Sequence, residues 1–317
     1  MGHSTQQQTA RNRDRSFRER LYRRLSSRKA FIGLTMGPSI LLYLLVLAFP
    51  ILWAVYASFH DINTLSPDWA WTGLDNYRSL LVDDLFHYSL WLSFLFAAGS
   101  IVIQTTLGVV FALLLNQGVA MERLASSILF LPFLVPTAIV GYMIIWMTNP
   151  SWGIFNWMLV DTGLIEAPIP WFGREDLALF SAIVANSWKY IALVTIMVYA
   201  RLQSIPSQLY EVSNVMGASA WQKFRDVTLP NIKGVVFIVT LLNGIWMFFK
   251  FDILWILTQG GPGDATRISV IYAYEEAFQN MALGRSASMA VVLFTIVVLG
   301  AIVYFVVFEP EQEVRVE

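Results

Sequence analysis

Residues 211–230 read Glu211-Val-Ser-Asn-Val-Met-Gly217-Ala-Ser-Ala-Trp-Gln-Lys-Phe-Arg-Asp-Val-Thr-Leu229-Pro230, a polar segment set between two long apolar runs. Glu211 to Met216 is compatible with a helix, and Gly217 suits the left-handed turn that ends one. Ala218 to Val227 suits a second helix. Leu229-Pro230 is expected to stop it, because proline has no N–H with which to continue the hydrogen-bond ladder.

The flanking runs explain why such a segment matters. Of the 317 residues, 56% are apolar and 14% charged, against about 25% charged in an ordinary soluble domain. Runs close to the roughly 20 apolar residues that cross a bilayer occur at Phe31–Phe59, Tyr88–Leu115, Ser126–Met147, Leu177–Tyr199, Val235–Leu257 and Ser286–Phe308. The expectation is an all-α integral membrane protein with six transmembrane helices, bent where Pro38, Pro50, Pro132 or Pro136 falls inside a run. An ordered polar connector at the water surface of such a protein is expected to dock a partner.

Charge sets the orientation. Residues 1–30 carry nine basic side chains (Arg11, Arg13, Arg15, Arg18, Arg20, Arg23, Arg24, Arg28 and Lys29) and two acidic ones, which holds this tail in the cytoplasm. Six crossings then return the tail 309–317 to the same side. The segment around Glu211 faces the cytoplasm with Arg201, Lys223, Arg225 and Lys233, while only Arg78, Arg174, Arg267 and Arg285 face outward. The basic tail reads as an orientation signal and a contact for anionic lipid, not as a nucleic-acid site. The first residues do not read as a cleaved leader.

Several chemistries are disfavoured. With no cysteine, thiolate metal sites, disulfides and cysteine nucleophiles drop out, and His60 and His87 have no ligand-spaced partners and read as solvated interfacial residues. No Gly-x-x-x-x-Gly-Lys-Ser/Thr loop is present to cradle nucleotide phosphates. A membrane enzyme would need clustered carboxylates or histidines, and only Asp83-Asp84 and Glu275-Glu276 come near that. A proton-coupled carrier or channel would need an embedded acidic relay, and Asp252 alone lies in a span.

Polar side chains inside a bilayer are costly and face a bundle interior or a cavity. Asn186, Lys189, Tyr190 and Leu193 share one helical face of the fourth span, and Asn243, Met247 and Lys250 share one face of the fifth. At about 1.5 Å per residue, Asn186 and Lys189 lie roughly 13–18 Å deep and Asn243 about 15 Å deep. Two helices thus bring amides to one depth, where transporter sites sit. Asp252 is not expected to pair with Lys250, since i and i+2 point apart on a helix. Trp188 and Trp246 suit packing or cavity walls, among many tryptophans that suit the interfaces.

The segment from Glu211 resembles the Glu-Ala-Ala loop of ABC importer permeases. Glu211, Gly217, Ala218, Leu229 and Pro230 stand at matching offsets, whereas Val212, Ser213 and Met216 replace Ala, Ala and Asp. Gly73-Leu74-Asp75-Asn76-Tyr77 and Leu131-Pro132-Phe133-Leu134-Val135-Pro136 are similar to recurrent pieces of sugar permeases. Leu257-Thr258-Gln259-Gly260-Gly261-Pro262, followed by Thr266, Tyr272, Ala277-Phe278 and Gly284-Arg285-Ser286-Ala287-Ser288, resembles the outer loop of the maltose and glycerol-3-phosphate type, with Arg285 replacing an aromatic. Its Gly260–Gly263 segment is a forced turn, and 267–280 is compatible with a short helix over the mouth.

The resemblance implies a type-I ABC importer permease fold over 31–308, with a coupling loop at 201–233 and an outer loop at 258–285, in the inner membrane of a prokaryote. It implies a half-transporter completed by a second permease subunit, two ATPase subunits or domains that bind ATP and magnesium, and an extracellular solute-binding protein. No cofactor belongs to this chain. The ATPase-coupling residues implied are Glu211, Val212, Ser213, Gly217, Ala218, Leu229 and Pro230. The pathway residues are Asn186, Lys189, Tyr190, Leu193, Asn243, Trp246, Met247 and Lys250, around a sugar-like solute. Lys189 and Lys250 are untypical of the neutral-sugar case, and imply either an anionic group on the solute, as in a glycerophosphate, or a carboxylate on the partner permease.

Overall fold

The structure, a computed structural model, describes residues 28–63, 69–118 and 122–308. The expectations placed on the basic tail before Arg28 and on residues 309–317 lie outside the described residues. The chain divides into two bodies, one ending at Ala57 and one beginning at Ser58.

The first body is helical. α1 (Arg28–Tyr43) passes through a π-helical turn, Leu44–Ala48, into α2 (Phe49–Ala57). The Phe49 N–H reaches back five residues to the Leu44 carbonyl, and Pro50 follows at once. The widened turn makes room for the proline ring, which in a regular helix would strike the carbonyl four residues back. Thr35–Ala57 is thereby one apolar stretch of 23 residues, long enough to cross a bilayer.

The second body opens with a two-stranded antiparallel pair, β1 (His60–Asp61) and β2 (Ala70–Trp71). The following motif, Gly73 to Tyr77, secures it. Gly73 adopts φ +60°, the Asn76 amide donates to the Ser58 and His60 carbonyls at 3.0 Å, and the Tyr77 hydroxyl meets Ser58 Oγ at 2.6 Å. His60 is buried with its ring edge-on to Trp71 at 5.0 Å. It is therefore not the solvated residue expected from its loop position, because the strand pairing folds Trp71 over it.

Helices α3 (Asp75–Leu81), α4 (Asp84–Leu115), α5 (Glu122–Leu134), α6 (Thr137–Met147), α7 (Ile154–Asp161) and α8 (Glu175–Gln203) follow in order. Next come α9 (Ser207–Val215), α10 (Ala220–Lys223), a π turn at Phe224–Thr228, α11 (Leu229–Phe248), α12 (Asp252–Leu257), α13 (Ser269–Phe278) and α14 (Leu283–Phe308). By length and composition, α4, α8, the continuous stretch Ala220–Phe248 and α14 suffice to cross a membrane. The α4 and α8 helices form the most extensive contact, drawn close by Gly108, where an added Cβ would stand 2.5 Å from Val194 Cβ. Leu92, Phe96, Val140, Ile253, Leu254 and Ile271 form one apolar core, and Ala112, Val194, Val198, Leu202, Ile232 and Val239 another.

Three of the expected helices differ from a straight span. The third, Ser126–Met147, is two helices meeting at 101°. Pro136 has no N–H, and it drives Val135 out of helical geometry. The fifth, Val235–Leu257, breaks between Phe248 and Asp252, where Asp252 starts a new helix with its own carboxylate accepting the Ile253 N–H at 3.0 Å. Pro230 ends nothing: the helix runs through it, because the Leu229 N–H reaches Phe224 five residues back and the π turn accommodates the ring.

The helix α13 is fastened to the helices around it. Ser93 of α4 accepts the Ser269 N–H at 2.9 Å, which satisfies one of the four orphan donors at a helix start. Asp83 caps α4 by accepting the Phe86 N–H at 3.0 Å, accepts the Tyr272 hydroxyl at 2.8 Å and pairs with Arg285. Burial pushes its carboxyl up, but these donors and the Arg285 charge prevail and hold it below the usual carboxylate range. The stability it contributes is full above the unfolded value of about 3.9 and is lost as pH falls through the lower folded value. Asp83→Asn is expected to cost roughly 1.5–3 kcal/mol at pH 7, the range for a hydrogen-bonded charged group, and to flatten the loss of stability in acid. Thermal melts between pH 3 and 7 check both.

Candidate functional site

The polar segment of the opening stretch is a tethered connector. Pro206 precedes α9, which ends with Gly217 in the left-handed conformation, φ +74°. The Gly217 and Ala218 N–H groups return to the Asn214 and Ser213 carbonyls at 3.0 Å, satisfying acceptors at the helix end. Ser219 and Gln222 then form a reciprocal capping box that starts α10. The base is tied down where the Tyr210 hydroxyl meets Thr228 Oγ1 at 3.0 Å and Arg201 Nε donates to the Asn231 carbonyl at 2.8 Å. Glu211, Val212, Gly217, Leu229 and Pro230 are exposed, and Ser213 and Ala218 half-buried.

Between those ties stands an apolar face that the described residues leave largely exposed. Leu209, Val212 and Met216 fall at helical spacing, and Val215 and Met216 are 90% and 80% exposed, with Trp221 at 67%. Sequence reasoning chose Glu211 and Gly217 by pattern and passed over Val215 and Trp221.

Within the bundle, Asn186 of α8, Asn243 and Met247 of α11, and Gln104 of α4 are all buried. The Asn186 amide donates to Met247 Sδ at 2.9 Å and the Gln104 amide to the same sulfur at 3.5 Å. Thioether sulfur is a weak acceptor. Gln104 Oε1, Asn186 Oδ1 and both polar atoms of the Asn243 amide have no partner among the described residues, and each such atom costs on the order of 1–3 kcal/mol. Asn186, Asn243 and Met247 were singled out in the sequence. Gln104 was not, although a glutamine inside a membrane-length apolar run was the available signal.

The two lysines find partners within the chain. Lys189 is buried, and its Nζ donates to the carbonyls of Pro132 at 3.4 Å, Phe133 at 3.3 Å and Val135. These acceptors sit at the C-terminal end of α5, freed by the break before Pro136. Lys250 lies beyond the end of α11, so it is not on the Asn243 face. Its Nζ meets Asp252 at 2.9 Å and the Tyr190 hydroxyl at 2.5 Å. The expectation that Lys250 and Asp252 point apart fails because the helix is interrupted between Phe248 and Asp252. Tyr190, Trp246, Phe249, Lys250, Phe251 and Asp252 line a cleft of about 430 Å³. Trp188 borders a separate apolar groove of about 620 Å³ with Met143, Met147 and Phe180, and Leu193 is packed into the core around Val194.

Membrane-length helices, one of them interrupted and one bent, buried amides between them and a tethered, exposed connector fit a membrane transport subunit. The chain belongs to the family described as binding-protein-dependent transport system inner membrane component, whose model matches residues 104–312. It is 32% identical to a trehalose/maltose transport system permease protein of Thermococcus litoralis, over 89% of this chain and 95% of that one. It is also 32% identical to an inner membrane ABC transporter permease protein of Escherichia coli, over 84% and 90%. In structure it is similar to a chain of a bacterial ABC transporter that imports the acidic polysaccharide alginate. The TM-score is 0.80 at 20% identity, covering 93% of this chain and all of that one.

Proposed function

We propose that this chain is the permease half of an ATP-driven importer for a sugar or sugar-like solute. A second permease subunit completes the pathway, two ATPase subunits or domains bind ATP and magnesium, and an extracellular binding protein delivers the solute. Both termini and the connector at 201–233 face the cytoplasm. There the ATPases seize the connector, and their closure rocks the helices between inward-open and outward-open states.

The observation that carries the reading is the connector itself, firmly tied at its base and apolar at its exposed tip. A large apolar face without a partner marks a contact surface. Sugar as the solute class rests on the buried amides and on the relative from Thermococcus litoralis. Lys189 is engaged by carbonyls and Lys250 forms a neutral pair with Asp252, which supports an uncharged solute over an anionic one.

The test is to co-express the chain with the second permease and the ATPase subunits. Val215→Asp combined with Met216→Asp is expected to abolish co-purification of the ATPase while the second permease is retained, since two charges would be placed in a desolvated contact. Retention of the ATPase, or solute flux of equal rate without ATP, would overturn the assignment.

A further inference from the structure

Among the buried polar side chains of the bundle, the amides of Gln104 and Asn186 meet at one atom, Met247 Sδ. Asn186 and Gln104 both direct an N–H at that sulfur, and Met247 is one helical turn from Asn243 on the same face of α11. α4 and α8 therefore each direct one amide at a single flexible thioether of α11, and α11 carries a third buried amide, Asn243, one turn before it. Four polar atoms of the set have no partner among the described residues. Buried polar groups in folded proteins are satisfied as a rule, so three under-satisfied amides on three adjoining helices call for water or a ligand in another state of the protein. Methionine suits the role of a stopper, because its three rotatable bonds let it withdraw without moving the backbone.

We infer that Gln104 forms the third wall of a solute chamber with Asn186 and Asn243, plugged by Met247 in the state described, and that this chamber takes an uncharged, hydroxyl-bearing solute. The inference rests on the importer reading above and extends it to α4, which that reading did not involve. Each amide offers both a donor and an acceptor, which matches a sugar hydroxyl, itself both. A carboxylate or phosphate could use only the donors and would be repelled by the amide oxygens. The two lysines of the adjoining spans are engaged elsewhere, Lys189 by backbone carbonyls and Lys250 by Asp252.

The chain contains no cysteine, so an introduced thiol is the sole thiol of this chain. Gln104→Cys, Asn243→Cys and, as an equally buried apolar control, Phe96→Cys are to be made in the assembled importer. Each is treated with a small water-soluble methanethiosulfonate reagent, with and without ATP and magnesium, and modification is read on this chain by mass spectrometry. Opening of the chamber is expected to accelerate labelling of Gln104→Cys by at least about tenfold during turnover, with Phe96→Cys unaffected. Labelling of Asn243→Cys but not Gln104→Cys would remove Gln104 from the chamber and leave the importer reading intact. Solute movement without ATP would instead sink the importer reading. Protection of Gln104→Cys by an alginate oligosaccharide, with none by maltose or trehalose, would overturn the uncharged class. Gln104→Leu supplies an independent measurement. A lowered melting temperature would make Gln104 a structural tie between helices, whereas the chamber requires a melting temperature equal to the parent's or higher.

Discussion

Replacing Gly217 with valine is expected to abolish solute uptake while leaving a folded, membrane-inserted chain. Gly217 stands at φ +74°, a conformation that costs an L-residue roughly 1–2 kcal/mol and a β-branched one at least as much. Nothing lies within 4 Å of the position a Cβ would take, so the penalty is one of backbone conformation and not of collision. The chain can relieve it by unwinding the end of α9, which withdraws the Gly217 and Ala218 N–H groups from their carbonyls and swings Val215 and Met216 away from their positions. The bundle, whose core lies elsewhere, has no reason to follow. Uptake into proteoliposomes containing the complete importer, beside a thermal melt of the same preparation, separates the two effects. Uptake at the parent rate would show that the turn transmits nothing.

Lys189→Met is expected to act on stability. The carbonyls of Pro132, Phe133 and Val135 accept from its buried ammonium where the third span abandons its ladder. Methionine keeps the volume and removes the donor. The loss expected is on the order of 1.5–3 kcal/mol, the range for a hydrogen bond to a charged group. Lys189→Arg, which retains donors and charge, is expected to recover part of it. A melting temperature in detergent equal to the parent's would show that the elbow holds itself, and would return the lysine to a role in contact with solute.

The sequence carried the long features well and the interruptions poorly. Hydrophobic runs located the membrane-length helices because burial in lipid demands length and apolarity, both visible residue by residue. The helix–turn–helix form of the connector was legible for the same kind of reason, since Gly217 is a local device, whereas the Ser219–Gln222 box was not read. Lys250 and Asp252 were misread because a periodicity argument assumes an unbroken helix, and the break at Phe249–Phe251 carries no proline or glycine to announce it. Pro230 was misread in the opposite sense, as a stop where the backbone absorbs it. Lys189 was assigned to solute or partner because its acceptors are backbone carbonyls more than fifty residues away, which no side-chain pattern records. Gln104 was overlooked because its polar companion at helical spacing, Ser100, is a short hydroxyl and not a second amide or a lysine as on the face of Asn186 and Lys189.

The π turn at Phe224–Thr228 has a further effect. One additional residue in a turn advances the azimuth of everything beyond it by about 100°. Were Pro230 replaced by alanine and one residue of the turn deleted, an ordinary ladder could close, but Trp221 and the connector would be reoriented against Asn243 by more than a quarter of a circle. The phase between what the connector presents and what the bundle encloses is thus set at the root of α11, by a proline and the slack wound in ahead of it.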